Sequence, residues 1–138
     1  MRLETHLRKW LNNKGDTMVI TEIINAVKSG QLDEKLTVLY GADALASQKV
    51  RYEEVLSKAK DLLGDKEAHI FSAPGRTEVG GNHTDHQLGR VVAASIDLDV
   101  IAVVVPTDDF IITYHAKGFS VSPVDLHNLE INEAEKNT

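Results

Sequence analysis

Through the first part of the chain, apolar residues recur at helical spacing. Leu3, Leu7, Trp10 and Leu11 form one stripe closed by Gly15, and Ile20, Ile23, Ile24 and Val27 form a second that Ser29 and Gly30 end. Leu32, Leu36 and Leu39 predict a short helix stopping at Gly41. A longer one follows, with Leu45, Val50, Val55, Ala59 and Leu62 facing inward and Gly64-Asp65 as its end. These stripes are read as core packing.

Beyond residue 65 the pattern becomes strand-like. His69 to Pro74 is a short apolar segment running into a Pro-Gly turn. Arg90 to Ile96 and Asp99 to Val105 are rich in Val and Ile, as strands buried on both faces are. Asp97-Leu98 between them is too short for a helix, so the two are expected to pair or to bend directly into one another. Phe110 to His115 predicts a further strand after the turn Thr107-Asp108-Asp109. Lys117-Gly118 then turns the chain into Phe119 to Ser122, which alternates with period two, and Pro123 marks an edge or bend. Asn128 to Thr138 is acidic and polar and reads as a connection.

The expected architecture is α+β: a helical segment over residues 1–65, then a mostly antiparallel or mixed sheet of about four or five strands over residues 66–138. The helices can cover one face of that sheet. The second face has no evident cover, which predicts self-association through it.

Composition narrows the function classes. The 138 residues are 42% apolar and 26% charged, ordinary values for a globular protein. A net charge of -6 disfavours nonspecific attraction to nucleic acid or to anionic membranes. Cysteine is absent, which removes disulfides and thiolate metal sites and suits a reducing compartment. The N-terminus lacks the apolar core of a signal peptide, and the longest apolar run, Val100 to Pro106, is far too short to span a membrane. A soluble, cytoplasmic protein is expected.

The candidate chemistry is concentrated in Ala73 to Gly89, APGRTEVGGNHTDHQLG. Two consecutive glycines allow close backbone approach to a ligand. The polar cluster Asn82, His83, Thr84, Asp85, His86 and Gln87 lies between two apolar strands, where buried polar groups need partners. Three readings are compatible with it. One is a solvated hairpin loop, since Gly, Asn and Asp are common turn formers. Another is a metal site built on His83, Asp85 and His86, although His6, His69, His115 and His127 offer no helpfully spaced further ligand. The third is a sugar site, because hydroxyls both donate to and accept from such side chains. Arg76 on the adjoining turn suits a phosphate, whose oxygens match a planar guanidinium.

APGR, six intervening residues, HTD and a nearby Gly together resemble the galactokinase signature of the GHMP kinases, which group galactokinase, homoserine kinase, mevalonate kinase and phosphomevalonate kinase. The resemblance covers residues from about 66 to 127 and implies the N-terminal half of a GHMP-kinase domain. It implies that Arg76 is the arginine assisting phosphoryl transfer and that His83 and Asp85 bind the sugar. It places Asn82 where a sugar-contacting glutamate is common, and Glu78 and His86 where asparagine and tyrosine are common. An amide at position 82 still bonds a hydroxyl but loses the stronger charge-assisted bond.

The implied activity is transfer of the γ-phosphoryl of ATP, with magnesium, to the anomeric hydroxyl of galactose. No segment of the chain reads as the family's glycine- and serine-rich ATP loop, so cofactor-binding residues are not expected in it, and the chain alone is expected to be inactive. The rival readings are a non-catalytic sugar-binding or regulatory module and a vestigial interaction domain.

Overall fold

A computed structural model describes residues 18–81 and 88–130. The chain divides into two compact units, Met1–Val105 and Pro106–Thr138. The elements of the first are β1 (Met18–Val19), α1 (Ile20–Ser29), α2 (Asp33–Tyr40), α3 (Leu45–Leu63), β2 (Glu67–Gly80) and β3 (Val92–Val104). The second holds β4 (Ile111–Ile112) and β5 (Val124–Asp125). The class is α+β, and among the described residues every strand pair is antiparallel. Among the described residues no helix is long and apolar enough to cross a membrane. The predicted stripe over Leu3, Leu7, Trp10 and Leu11 lies outside the described residues.

Three helices form where three stripes predicted them, each stopped by a glycine. Gly30 sits at φ 85° and its N–H bonds the carbonyls of Ala26 and Val27, closing α1 in the left-handed conformation that only glycine adopts without strain. Val19 at the N-cap of α1 carries no side-chain acceptor for the first turn, and its own N–H is taken by Glu22 Oε2 at 3.1 Å. Asp65, from the turn after α3, takes over: it accepts the Thr21 N–H at 2.8 Å and the Thr21 hydroxyl at 2.7 Å. Lys60 Nζ donates to the same hydroxyl at 2.7 Å.

The core lies between the helices and one face of the sheet. Ile20, Ile23, Val27, Leu36, Tyr52, Leu56, Ala59 and Ala68 are its buried members, and Ile70, Ile101, Val103 and Val105 are among the residues packed against them. Each fully buried aliphatic side chain contributes about 1.5–3 kcal/mol relative to exposure. The inward stripe of α3 differs from the predicted one. Tyr52, Leu56 and Ala59 are buried, whereas Val50 is 57% and Leu62 46% exposed. Positions 52, 56 and 59 follow the four-and-three spacing of a helix face, and Val50 lies on the opposite side of the helix from Tyr52. Leu39 also turns outward from α2.

The sheet of the first unit has the order β1-β2-β3. A Pro-Gly turn was expected at Pro74-Gly75, but β2 runs straight through it. The two predicted strands Arg90 to Ile96 and Asp99 to Val105 are likewise one strand, β3. A bulge absorbs the irregular residues. Pro74 faces Asp99 and Arg76 faces Ser95, so Gly75 alone opposes Ile96, Asp97 and Leu98. A side chain at Gly75 would stand 3.1 Å from Ile96 Cδ1 and 3.2 Å from the Leu98 carbonyl, so the residue there must be small. Ile101 and Val103 are turned toward the helices, and Val100, Ala102 and Val104 are exposed on the opposite face.

In the second unit the strands are shorter than the runs Phe110 to His115 and Phe119 to Ser122 predicted. Only Ile111 and Ile112 pair, with Asp125 and Val124 respectively. Phe110 has φ 55°, which breaks extended backbone. Asp109 accepts the Thr107 hydroxyl at 2.8 Å and the Ile111 N–H at 3.1 Å, and Asp125 accepts the His127 N–H at 2.8 Å. Such local side-chain bonds satisfy the backbone in turns and compete with a ladder. Phe119 makes only an isolated bridge with Ala116 among the described residues. The expected sheet of four or five strands is therefore replaced by a three-stranded and a two-stranded one.

Candidate functional site

Past the bulge, the β2–β3 hairpin continues as an arm made of Arg76–Gly80 and the β3 residues opposite it. Arg76 pairs with Ser95, Thr77 with Ala94, Glu78 with Ala93 and Gly80 with Val92, leaving Val79 as an extra residue on β2. Every residue from Arg76 to Gly80 is exposed, as are those from Val92 to Ser95. The arm projects from the helix-covered part of the sheet into solvent, which is where a ligand can reach it. Arg76 and Glu78, two apart on one strand, share a face of it.

The tip of the arm closes on itself. Gly81 sits at φ 98°, and a side chain there would run into the carbonyl oxygen of Arg90 and come within 2.9 Å of Val91 Cα. Glycine is required at this neck both for its backbone angle and for the space. Leu88, on the other side of the neck, holds φ 60° and is 97% exposed. Of the site residues predicted from sequence, Arg76 and Glu78 are therefore placed on the arm. Asn82, His83 and Asp85, together with His86 of the alternative metal site, lie outside the described residues. Among the described residues no group of three or more His, Asp or Glu side chains could hold a metal ion.

A second polar cluster stands at the root of the arm, and sequence reasoning missed it. Asp99, whose side chain is 2% exposed, faces Pro74 beside the bulge. Its Oδ1 accepts Arg51 Nη1 at 2.5 Å, and its backbone carbonyl accepts Arg51 Nη2 at 2.7 Å. Its Oδ2 accepts the Ser72 hydroxyl at 2.5 Å and the Tyr40 hydroxyl at 2.6 Å. Having donated to Asp99, Tyr40 accepts from Tyr52 at 2.9 Å. Burial acts to raise the Asp99 carboxyl's pKa, but the hydroxyls of Ser72 and Tyr40 and the Arg51 guanidinium outweigh it and hold the group below the usual carboxylate range. Burial, followed by the bond to Tyr40, pushes the Tyr52 phenol up. In sequence Asp99 reads as the first residue of a strand, and no local pattern links it to an arginine so far away.

Comparison with known proteins bears on the arm directly. A family model described as the galactokinase galactose-binding signature matches residues 60–106, from the last turn of α3 through β3. Among curated proteins, a galactokinase of Lactobacillus helveticus is 42% identical over 57 residues, covering 41% of this chain and 15% of that protein. A galactokinase of Streptococcus suis is 29% identical over 86 residues, covering 60% of the chain and 22% of its own length. One of Streptomyces coelicolor is 31% identical over 67 residues, covering 49% and 17%. Over the matched stretch this chain is thus related to galactokinases, and it spans between 15% and 22% of the length of these three relatives. No solved structure matches. An α+β fold with an antiparallel sheet is consistent with the N-terminal domain of a GHMP kinase.

Proposed function

We propose that the chain supplies the sugar-recognising arm of a galactokinase, which transfers the γ-phosphoryl of ATP to the anomeric hydroxyl of galactose. The observation carrying this reading is the coincidence of the galactose-binding signature, residues 60–106, with the exposed arm that presents Arg76 and Glu78. Asp85 and His83 hold the sugar in register through its hydroxyls, with Asn82 and Glu78 as further polar contacts. Arg76 stabilises negative charge near the moving phosphoryl, since phosphoryl transfer is mostly positioning and charge neutralisation. ATP and magnesium supply the phosphoryl group and the counter-charge in the whole enzyme. The sequence contains no segment that reads as an ATP loop, so these 138 residues alone are expected to turn over no sugar. The protein works in the cytoplasm, and the outward face of β3 associates with a second copy.

Titration of the chain with galactose, followed by calorimetry and by ligand-observed NMR, tests the reading, with glucose and mannose as controls. Selective galactose binding is expected, and incubation with ATP, magnesium and galactose is expected to give no sugar phosphate. A folded chain that ignores galactose at millimolar concentration overturns the assignment of the arm.

A further inference from the structure

The geometry points to Asp99 and Arg51 as positioning residues that fix the direction of the sugar arm. This rests on the sugar-arm reading above but is carried by separate observations. The helix-covered part of the hairpin ends at the pair Pro74–Asp99, and the exposed arm begins one step later at Arg76–Ser95. Between them lies the bulge, where three residues of β3 oppose one of β2. A ladder interrupted in this way sets no unique angle between its two halves, because the bulged residues are unpaired. The constraint must come from elsewhere, and Asp99 provides it.

Three separate elements converge on that one residue. Arg51 from α3 grips both its carboxylate and its backbone carbonyl, so main chain as well as side chain is held. Tyr40 from the end of α2 and Ser72 from β2 take the other oxygen. A planar guanidinium bonded to two oxygens of one residue fixes orientation as well as distance. With the carboxylate withdrawn from water and each of its oxygens bonded, the cluster is costly to rearrange. The arm therefore leaves the sheet at an angle dictated by the helices, and Arg76 and Glu78 inherit it.

Asp99→Asn, which keeps the shape and removes the charge, and Tyr40→Phe, which removes one bond and keeps the ring, test the assignment. Amide hydrogen exchange is read separately for Arg76–Gly80 and Val92–Ser95 and for the core amides of α1 and α3, alongside galactose affinity and thermal melting. In both variants the arm amides are expected to exchange roughly tenfold faster relative to the core, with galactose binding weakened by a similar factor. Arg51→Lys, a point charge in place of the fork, is expected to fall between wild type and Asp99→Asn. If core and arm exchange rise together, or melting falls while arm exchange and affinity stand unchanged, the cluster is only a stability element and the proposal is overturned. If wild type binds no galactose, the sugar-arm reading fails, and the exchange ratio alone still decides whether Asp99 holds the arm.

Discussion

Asp65 caps helix α1 from the far side of α3, accepting both the backbone N–H and the hydroxyl of Thr21, 44 residues earlier in the chain. The Thr21 hydroxyl and then its amide hold the carboxyl below its ordinary value of 3.8, with Lys60 adding to the effect. A carboxyl with a lowered folded-state pKa contributes stability that is present above the unfolded value and is lost as pH falls through the folded one. Asp65→Ala is therefore expected to lower Tm by on the order of 5 °C at pH 7. The gap from wild type should shrink as pH falls below the ordinary carboxylate range. Melting curves across that range check it, and a gap independent of pH would exclude the ionised cap.

The phase of α3 makes a direct mutational contrast. Leu56 is 1% exposed and Val50 57%. Leu56→Ala should cost about 2–5 kcal/mol, and Val50→Ala less than about 0.5 kcal/mol. Urea unfolding of the two variants measures both, and equal losses would contradict the observed face.

Gly81 and Gly80 are neighbours with opposite tolerance. Alanine at Gly81 meets the Arg90 carbonyl at a left-handed φ, whereas at Gly80 nothing lies within 4 Å of an added Cβ. Gly81→Ala is expected to cost roughly 1–3 kcal/mol and to disturb NMR signals of Arg90 and Val91. Gly80→Ala should leave the spectrum close to that of wild type. Reversal of this order would show that the neck of the arm is drawn wrongly.

In an active galactokinase carrying this segment, Asp85→Ala should cost about 2–4 kcal/mol of transition-state binding, read from the fall in kcat/KM, as a sugar hydroxyl loses a charged partner. Arg76→Lys should reduce kcat more than it raises KM, since a point charge cannot copy a planar fork. Steady-state kinetics with galactose separates the two, and wild-type constants in both variants would remove these residues from the site.

The outward face of β3 leaves Val100 71% and Val104 41% exposed. Light scattering coupled to size exclusion is expected to find a dimer or larger species at micromolar concentration, and Val100→Thr with Val104→Thr should shift it toward monomer. A monomeric wild type would refute association through this face.

Much of this fold was legible because its signals are local. Gly30, Gly41 and Gly64 each stopped a helix where periodicity said it should stop. Val and Ile enrichment marked the stretch of β3 as strand, although as two strands buried on both faces rather than one with an exposed face, and the motif from Ala73 to Gly89 marked the arm. What escaped was set by partners distant in sequence. Pro74-Gly75 reads as a turn until β3 is seen to accommodate it with a bulge. Tyr52 is core because its hydroxyl finds Tyr40 inside the molecule, a pairing that an apolar stripe does not count. Phe110 to His115 has the composition of a strand, but a left-handed Phe110 and the Asp109 side chain keep its first residue out of the ladder, and only Ile111 and Ile112 pair.

The buried carboxylate of Asp99 also bears on how the chain reaches its native pairing. Val100 to Val105 is so uniformly apolar that sliding β3 by two residues along β2 would keep an acceptable pattern of side chains. Asp99 removes that freedom, because a slipped strand strands its charge away from Arg51 and Tyr40. Those two partners precede it by 48 and 59 residues, so they leave the ribosome first, on helices that form from local contacts. The hairpin is thus born next to its own template, and the correct register is selected at the moment Asp99 arrives.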